Sequence, residues 1–193
     1  YFMKSIIFSI ILFTSVSSLA QNFEIDGTEI GFDLAFNAST NGGNAGIGLK
    51  YGINFGENLI AGPSARYERT WSKNITNGTS GGVNVYGGGL FGHYRLQNVL
   101  FLGVEFEMLK SPYTKTGQLT SAPNWVPTLF LGGGFSREFN ESFRINAGIM
   151  YDVINHDSSP FRDSYSITIK NDQGTPVKPL PIIFRLAFFI PLS

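Results

Sequence analysis

Apolar and polar residues alternate one by one in eight separate stretches of the chain. A period of two predicts β-strands, because successive side chains of a strand point to opposite faces of the sheet. The stretches lie at residues 30–39, 47–55, 61–71, 86–95, 102–108, 128–138, 143–153 and 182–190. The pattern therefore predicts an all-β chain with eight strands of about 9 to 14 residues each.

The connections between these stretches alternate between short and long. Tight turns are expected at residues 56–58, 97–98 and 140–142, and longer loops at 40–45, 72–82, 111–123 and 155–178. This alternation is typical of an antiparallel up-and-down barrel that spans a membrane, with short turns and both termini on the periplasmic side. In the last loop, the β-prone residues 164–170 precede a turn signal at 171–174. This pattern predicts that either strands seven and eight or an additional hairpin rise above the membrane.

Composition indicates which face of the strands meets water. Charged residues are only 15% of the chain, whereas soluble domains have about 25%. The face opposite the apolar residues is rich in Gly, Asn, Ser and Thr, and its few charges are of both signs. A confined interior in which charges pair explains this composition better than a face in water. We therefore expect the apolar face to contact lipid, rather than to fill the inside of a soluble barrel.

The predicted interior contains nearly equal numbers of acidic and basic side chains, which predicts ion pairs that fill the narrow lumen of eight strands. This polar network comprises Asp33, Lys50, Arg66, Glu68, His93, Arg95, Glu105, Glu107, Glu138, Arg144, Asp152 and Arg185. Aromatic residues are expected in two belts where the strands cross the membrane interfaces. The belt at the loop ends comprises Phe36, Tyr67, Trp71, Trp125 and Tyr151, and that at the turn ends Phe55, Tyr94, Phe139 and Phe143.

Residues 1–20 are predicted to be a cleavable signal peptide. Lys4 precedes a short apolar run, and Ser18 and Ala20 place small residues before a cleavage site. Residues 21–193 would then form a single barrel domain in a bacterial outer membrane. The chain has no Cys, which excludes disulfides and Cys-ligated zinc. Its 14 basic and 14 acidic residues provide no basic field that would attract nucleic acid.

In its alternating strands, loop lengths and polar interior, the chain resembles the small eight-stranded outer-membrane barrels of the OmpA/OmpX type. This resemblance implies contact with outer-membrane lipids and recognition of the last strand by the barrel-insertion machinery during assembly. We expect a non-enzymatic barrel with a plugged polar interior, acting as a structural or accessory subunit of a larger outer-membrane complex. We expect no cofactor and no metal, and a narrow ion or solute channel is the first alternative.

A second alternative is a hydrolase that modifies lipid A. The segment that begins at His156 and ends at Ser158 resembles the His-x-Ser of outer-membrane lipid A deacylases. In that family Ser is the nucleophile and His the base, and Asp163 would orient the His here. The residues after Ser158 differ from that family's pattern, so the non-enzymatic interpretation is preferred.

Overall fold

The computed structural model describes residues 25–39, 42–73, 80–113, 119–139, 142–162, 165, 167–170 and 176–192. The predicted signal peptide and Asp163 lie outside these described residues. The described strands are β1 (Ile25–Ser39), β2 (Gly42–Phe55), β3 (Leu59–Lys73), β4 (Ser80–Leu96), β5 (Leu100–Tyr113), β6 (Leu119–Phe139), β7 (Phe143–Asp152), β8 (Ile167–Lys170), β9 (Pro176–Leu180) and β10 (Ile182–Leu192).

Eight of these strands close into one antiparallel barrel. From β1 to β7 each strand pairs with the next, and β10 closes the ring between β7 and β1. At the closure, Phe32 of β1 pairs with Phe188 of β10 on one side and with Leu49 of β2 on the other. The predicted all-β, eight-stranded up-and-down barrel is therefore confirmed. In the part of the chain that the structure describes, no helix is long and apolar enough to cross a membrane.

Most strands are longer, and the first three long loops shorter, than the alternation predicts. β1 and β2 are separated by residues 40–41 alone, and β3 continues to Lys73. β6 is 21 residues long and begins inside the predicted loop at 111–123. Backbone pairing does not require apolar side chains, so the polar, Gly-rich ends of the strands extend the ladder beyond the apolar wall. In the loop predicted at 155–178, β8 and β9 form the additional hairpin.

Two runs of three glycines lie in the barrel wall and allow close approach between neighbouring strands. A Cβ atom at Gly89 of β4 would collide with the carbonyl oxygen of Phe106 on β5. At Gly132 of β6 it would collide with the carbonyl oxygen of Ile149 on β7. Glycine is required at both positions because any side chain would force the paired strands apart.

Apolar side chains form one cluster in each half of the interior. In the half near the tight turns, Ile60, Phe91, Ala187 and Phe189 pack together. In the half near the long loops, the cluster contains Val85, Leu109, Phe130, Met150, Phe161, Tyr165 and Ile183. Two members of the second cluster, Phe161 and Tyr165, come from the connection after β7 and not from a barrel strand. That connection therefore contributes to the packing inside the barrel.

Candidate functional site

A network of ion pairs lies in the middle of the barrel and is the candidate functional site. Its charges come from neighbouring strands of the ring, whose inward positions converge on the barrel axis. The central network consists of Asp33, Lys50, Arg66, His93, Glu105, Glu107 and Arg185, and all of these residues are buried. Three carboxylates face three permanent cations, so the network is electrically balanced when His93 is neutral.

Lys50 and Glu105 connect most of the central network. Lys50 Nζ donates to Asp33 Oδ2 at 2.5 Å and to Glu105 Oε1 at 2.9 Å. Glu105 Oε1 also lies 2.9 Å from His93 Nε2, and its Oε2 lies 3.1 Å from Arg185 Nη2. Because Lys50 lies on β2 and Glu105 on β5, three strands apart in the ring of eight, their contact crosses part of the interior.

Arg66 holds a second carboxylate by a forked contact. Its Nε donates to Glu107 Oε2 at 2.9 Å, and its Nη2 donates to Glu107 Oε1 at 3.0 Å. Two parallel N–H···O bonds between a guanidinium and a carboxylate fix both groups more firmly than a single contact does. Arg66 Nη2 also lies 3.4 Å from Asp33 Oδ2, which joins this pair to the rest of the central network.

Aromatic rings cover the cations of the central network. The guanidinium of Arg185 lies 5.3 Å from the centre of the Phe130 ring, and that of Arg66 lies 5.4 Å from the Phe161 ring. Lys50 Nζ lies 5.6 Å from the centre of the Phe91 ring. These ring faces stabilise cations that are cut off from water.

A separate group of charges lies at the turn end of the barrel. Arg95 donates from Nη1 and Nη2 to the two oxygens of Glu29, both at 2.7 Å. Arg144 Nη2 lies 2.5 Å from Glu138 Oε2, and its Nη1 donates to Asn98 Oδ1 at 2.7 Å. An open pocket of about 240 Å³ lies beside these pairs.

Glu29 is a member of the interior that the sequence analysis missed. The alternation in the sequence predicts a strand that begins at residue 30, whereas β1 begins at Ile25. Glu29 shares the inward parity of Gly31 and Asp33, so extending the alternation by one residue would have identified it.

The connection after β7 folds over the loop end of the interior. Its described residues, 155–162 and 165, are called the cap segment below. The Phe161 ring packs edge-on against Phe130 with 5.0 Å between ring centres. Tyr165 Oη donates to Asp152 Oδ2 at 3.0 Å, and the Asn155 N–H donates to Asp152 Oδ1 at 3.0 Å. Burial raises the pKa of the Tyr165 phenol, and the negative charge of Asp152 raises it further.

Glu68 lies near this end without an ion pair among the described residues. It is buried and hydrogen-bonded to Asn44.

The alternative catalytic residues lie partly in the cap segment. The backbone N–H of Ser158 donates to His156 Nδ1 at 3.0 Å, and the Ser158 residue is 5% exposed. Among the described residues no hydrogen bond joins the Ser158 hydroxyl to the His156 ring. The third candidate, Asp163, lies outside the described residues. The described part of the chain contains no group of three His, Cys, Asp or Glu residues that could hold a metal ion.

The predicted aromatic belts lie on the outside of the barrel wherever their side chains are described. At the loop end, Tyr67, Trp71, Trp125 and Tyr151 are exposed. At the turn end, Tyr94, Phe139 and Phe143 are exposed, Phe55 is half-buried, and the Phe139 and Phe143 rings stack 5.2 Å apart. The side chain of Phe36 lies outside what the structure describes.

Comparison with known proteins finds similarity among solved structures alone. No protein-family model matches the chain, and no curated protein matches it. Among solved structures, the chain is similar to the Yersinia pestis outer membrane protein Ail, whose backbone structure was determined in a phospholipid bilayer nanodisc. The identity is 14% and the TM-score 0.44, and the similarity covers 86% of this chain and 100% of Ail. The fold assignment rests on the strand pairing of this chain itself.

Proposed function

We propose that the protein is an integral outer-membrane barrel whose interior is closed to solutes, and that it acts as a structural or accessory subunit of a larger outer-membrane complex. The observation that carries this proposal is the inverted polarity of the barrel. Ion-paired charges fill its inside, whereas side chains such as Leu90, Leu102 and Phe184 are at least 60% exposed on its outside. An apolar surface of this extent is unfavourable in water and favourable against lipid tails.

The packing of the interior supports a non-conducting barrel. Lys50, Phe130, Met150 and Phe189 are each no more than 2% exposed, and they come from four different strands of the ring. An eight-stranded barrel has just enough internal room for side chains. The cap segment adds Phe161 to the loop end, so water would have to displace both charged and aromatic groups to pass.

The hairpin of β8 and β9 supports an accessory role. It forms a two-stranded sheet separate from the barrel, and Ile167 and Ile169 of β8 are exposed. The edge of such a short sheet can add a strand from another chain. The proposal assigns no reaction to the protein. This agrees with the position of His156, whose Nδ1 already accepts the backbone N–H of Ser158.

The membrane part of the proposal is tested by flotation and fluorescence quenching. Refolded protein is mixed with phosphatidylcholine vesicles and centrifuged through a density gradient. We expect it to float with the vesicles, and lipids brominated near the headgroup to quench the two tryptophans more than lipids brominated at the chain end. The reason for this expectation is that Trp71 and Trp125 both lie at the loop end of the outer wall, where aromatic side chains meet the membrane interface. Protein that stays in the aqueous fraction would contradict the proposal.

The closed interior and the accessory role are tested separately. In planar bilayers we expect no steps of conductance from the inserted protein, whereas regular steps would favour the channel alternative. For the accessory role, the tagged protein is extracted from outer membranes in mild detergent. We expect a stoichiometric companion that is lost in the variant Ile167→Lys with Ile169→Lys, while the barrel still inserts. If the barrel is always isolated alone, the accessory role is contradicted and the structural role remains.

A further inference from the structure

Among the described side chains, the outward positions of the barrel strands carry charges of one sign only. Arg69 of β3, Lys110 of β5 and Arg137 of β6 lie on these positions. Asp26 lies in the bulge of β1 and lines the turn-end pocket. The other strand carboxylates point inward: Glu29, Asp33, Glu68, Glu105, Glu107, Glu138 and Asp152. The outer wall is therefore complementary to anions.

Two of these cations lie close together at the loop end, beside aromatic rings. The register aligns four outward side chains in one row across β3 to β6, namely Tyr67, Tyr86, Lys110 and Trp125. Lys110 Nζ lies 5.9 Å from the centre of the Trp125 ring, and Tyr86 contacts that ring edge-on at 6.3 Å. Arg69 lies one step nearer the loops, where its Nη1 donates to Asn84 Oδ1 at 2.9 Å.

A glycine on the neighbouring strand leaves room for Arg69 to lie against the wall. A Cβ atom at Gly82 would lie 2.8 Å from Arg69 Nη2, so the guanidinium rests where a side chain would otherwise stand. The Asn84 contact uses one of its five N–H donors, which leaves other donors for an anion.

We propose that these outward residues, Arg69, Tyr86, Lys110 and Trp125, form a cationic rim that binds an anionic lipid whose headgroup carries two phosphates. From the strand spacing, the Cα atoms of Arg69 and Lys110 lie roughly 12 Å apart, so a headgroup with two phosphates reaches both side chains. Guanidinium and ammonium groups are the usual protein partners of phosphate.

The apolar wall on the turn side of the rim favours a lipid as the occupant. Towards the turn end from Tyr86 and Lys110, the next outward residues include Leu90 and Phe106, both exposed. Acyl chains of a lipid held at the rim would lie on these side chains. The inference rests on the membrane position proposed above, because only in a bilayer do the rim and wall meet a headgroup and its chains together.

The test uses the tryptophans as reporters. The chain has two tryptophans, Trp71 and Trp125, and both lie on the outer wall at the loop end. Refolded barrel in phosphatidylcholine nanodiscs is titrated with lipid A that carries two phosphates, with the same lipid A after removal of its phosphates, and with inorganic phosphate. We expect a saturable change in tryptophan emission with the phosphorylated lipid only.

Two variants locate the site. The variant Arg69→Gln with Lys110→Gln is expected to weaken the apparent Kd about 30-fold, since each cation near a membrane surface contributes about 1 kcal/mol. Arg137→Gln is the matched control, because it removes a cation from the same wall at the opposite end and should leave the titration unchanged. Each variant must still give the heat-modifiable gel shift of a folded barrel.

The outcomes separate this inference from the proposed function. Protein that inserts into nanodiscs but responds equally to both forms of lipid A overturns the rim alone. A response to inorganic phosphate of the same affinity overturns the assignment to a lipid, as does equal weakening by Arg137→Gln. Protein that does not insert at all overturns the proposed membrane position first.

Discussion

The two faces of a single strand, β5, follow opposite rules of composition. Its outward positions carry Leu102, Val104 and Phe106, which are 60%, 44% and 40% exposed. Its inward positions carry Glu105 and Glu107, which are 1% exposed each. A strand of a soluble sheet with the same alternation would turn its carboxylates to water. The comparison teaches that alternation defines two faces, whereas the number and balance of charges decides which face is enclosed.

The buried carboxylates of β5 are tolerated because each is paired with a cation. Glu105 is paired with Lys50 and Arg185, and Glu107 with Arg66. A buried carboxylate without partners is too costly to remain ionised, and a buried pair is strongly destabilised when one partner is removed. The outward face depends on no particular neighbour. Substitutions on the two faces should therefore differ in size and in their dependence on other residues.

The largest effect is expected at Glu105. Glu105→Gln keeps the size of the side chain but leaves Lys50 and Arg185 with one carboxylate fewer. We expect a loss of about 3 to 5 kcal/mol in the free energy of unfolding, measured by urea titration in phospholipid vesicles. The neighbouring outward substitution Val104→Ala is the matched control and should have a much smaller effect.

A second substitution distinguishes charge balance from simple loss of packing. In the double variant of Glu105→Gln with Arg185→Gln, the charges of Lys50 and Arg66 again match those of Asp33 and Glu107. We expect the double variant to be more stable than Glu105→Gln alone, which is a favourable coupling between the two substitutions. Additive losses would show that balance does not govern the interior.

The next largest effect is expected on the outward face. Leu90 lies midway along β4 between Tyr86 and Tyr94, in the middle of the apolar wall. Leu90→Arg should lower the free energy of unfolding in vesicles by about 2 to 4 kcal/mol, whereas Tyr94→Arg near the interface should lower it by about 0 to 1 kcal/mol. Equal losses at both positions would indicate that depth in a membrane does not matter.

The sequence predicts which face of a strand each side chain lies on, but it does not predict which side chains meet across the lumen. Parity decides which side chains share a face, and the balance of charges assigns the face of Lys50, His93 and Glu105 to the interior. Which charges meet across the lumen depends on the register and tilt of all eight strands. Lys50 and Glu105 are 55 positions apart, and no local pattern connects them.

There are also physical reasons why the sequence does not predict some residues of the interior. Glu29 lies just outside the stretch in which alternation was recognised. Phe161 lies in a connection without periodicity, so nothing in the sequence indicates that its ring packs on Phe130 inside the barrel. The polar strand ends were assigned to loops because their side chains lack alternation, although their backbones continue the ladder as far as Lys73 and Tyr113.

The cap segment provides a third, smaller test, since it brings an apolar ring into the interior from outside the wall. Phe161→Ala removes the contact with Phe130 and the ring beside Arg66 and Arg185. The free energy of opening the cap segment should fall by about 1.5 to 3 kcal/mol, while the barrel stays closed. Hydrogen exchange would show faster exchange in residues 155–162 and unchanged exchange in β5. Equally faster exchange in both would mean that the cap and barrel open together.

The smallest effect concerns Tyr165, which lies in the cap segment outside the barrel strands. Its pKa is raised in the folded state by burial and by Asp152, so the folded cap holds the phenol proton more tightly than the open cap. The open cap releases this proton near the ordinary tyrosine pKa of about 10. The stability of the closed cap is therefore complete below about pH 10 and falls as the pH rises above it.

Tyr165→Phe separates this titration from the hydrogen bond to Asp152. The variant loses that bond, at a cost of about 1 kcal/mol, and also loses the dependence on pH near about pH 10. Cleavage by trypsin after Arg162, normalised to a peptide substrate at each pH, measures how often the cap opens. Tyr151→Phe, on the outer wall, is the control and should retain the wild-type profile. If Tyr165→Phe also retained it, opening at high pH would have to come from another group, and Tyr165 would contribute to the cap only through its packing and its hydrogen bond to Asp152.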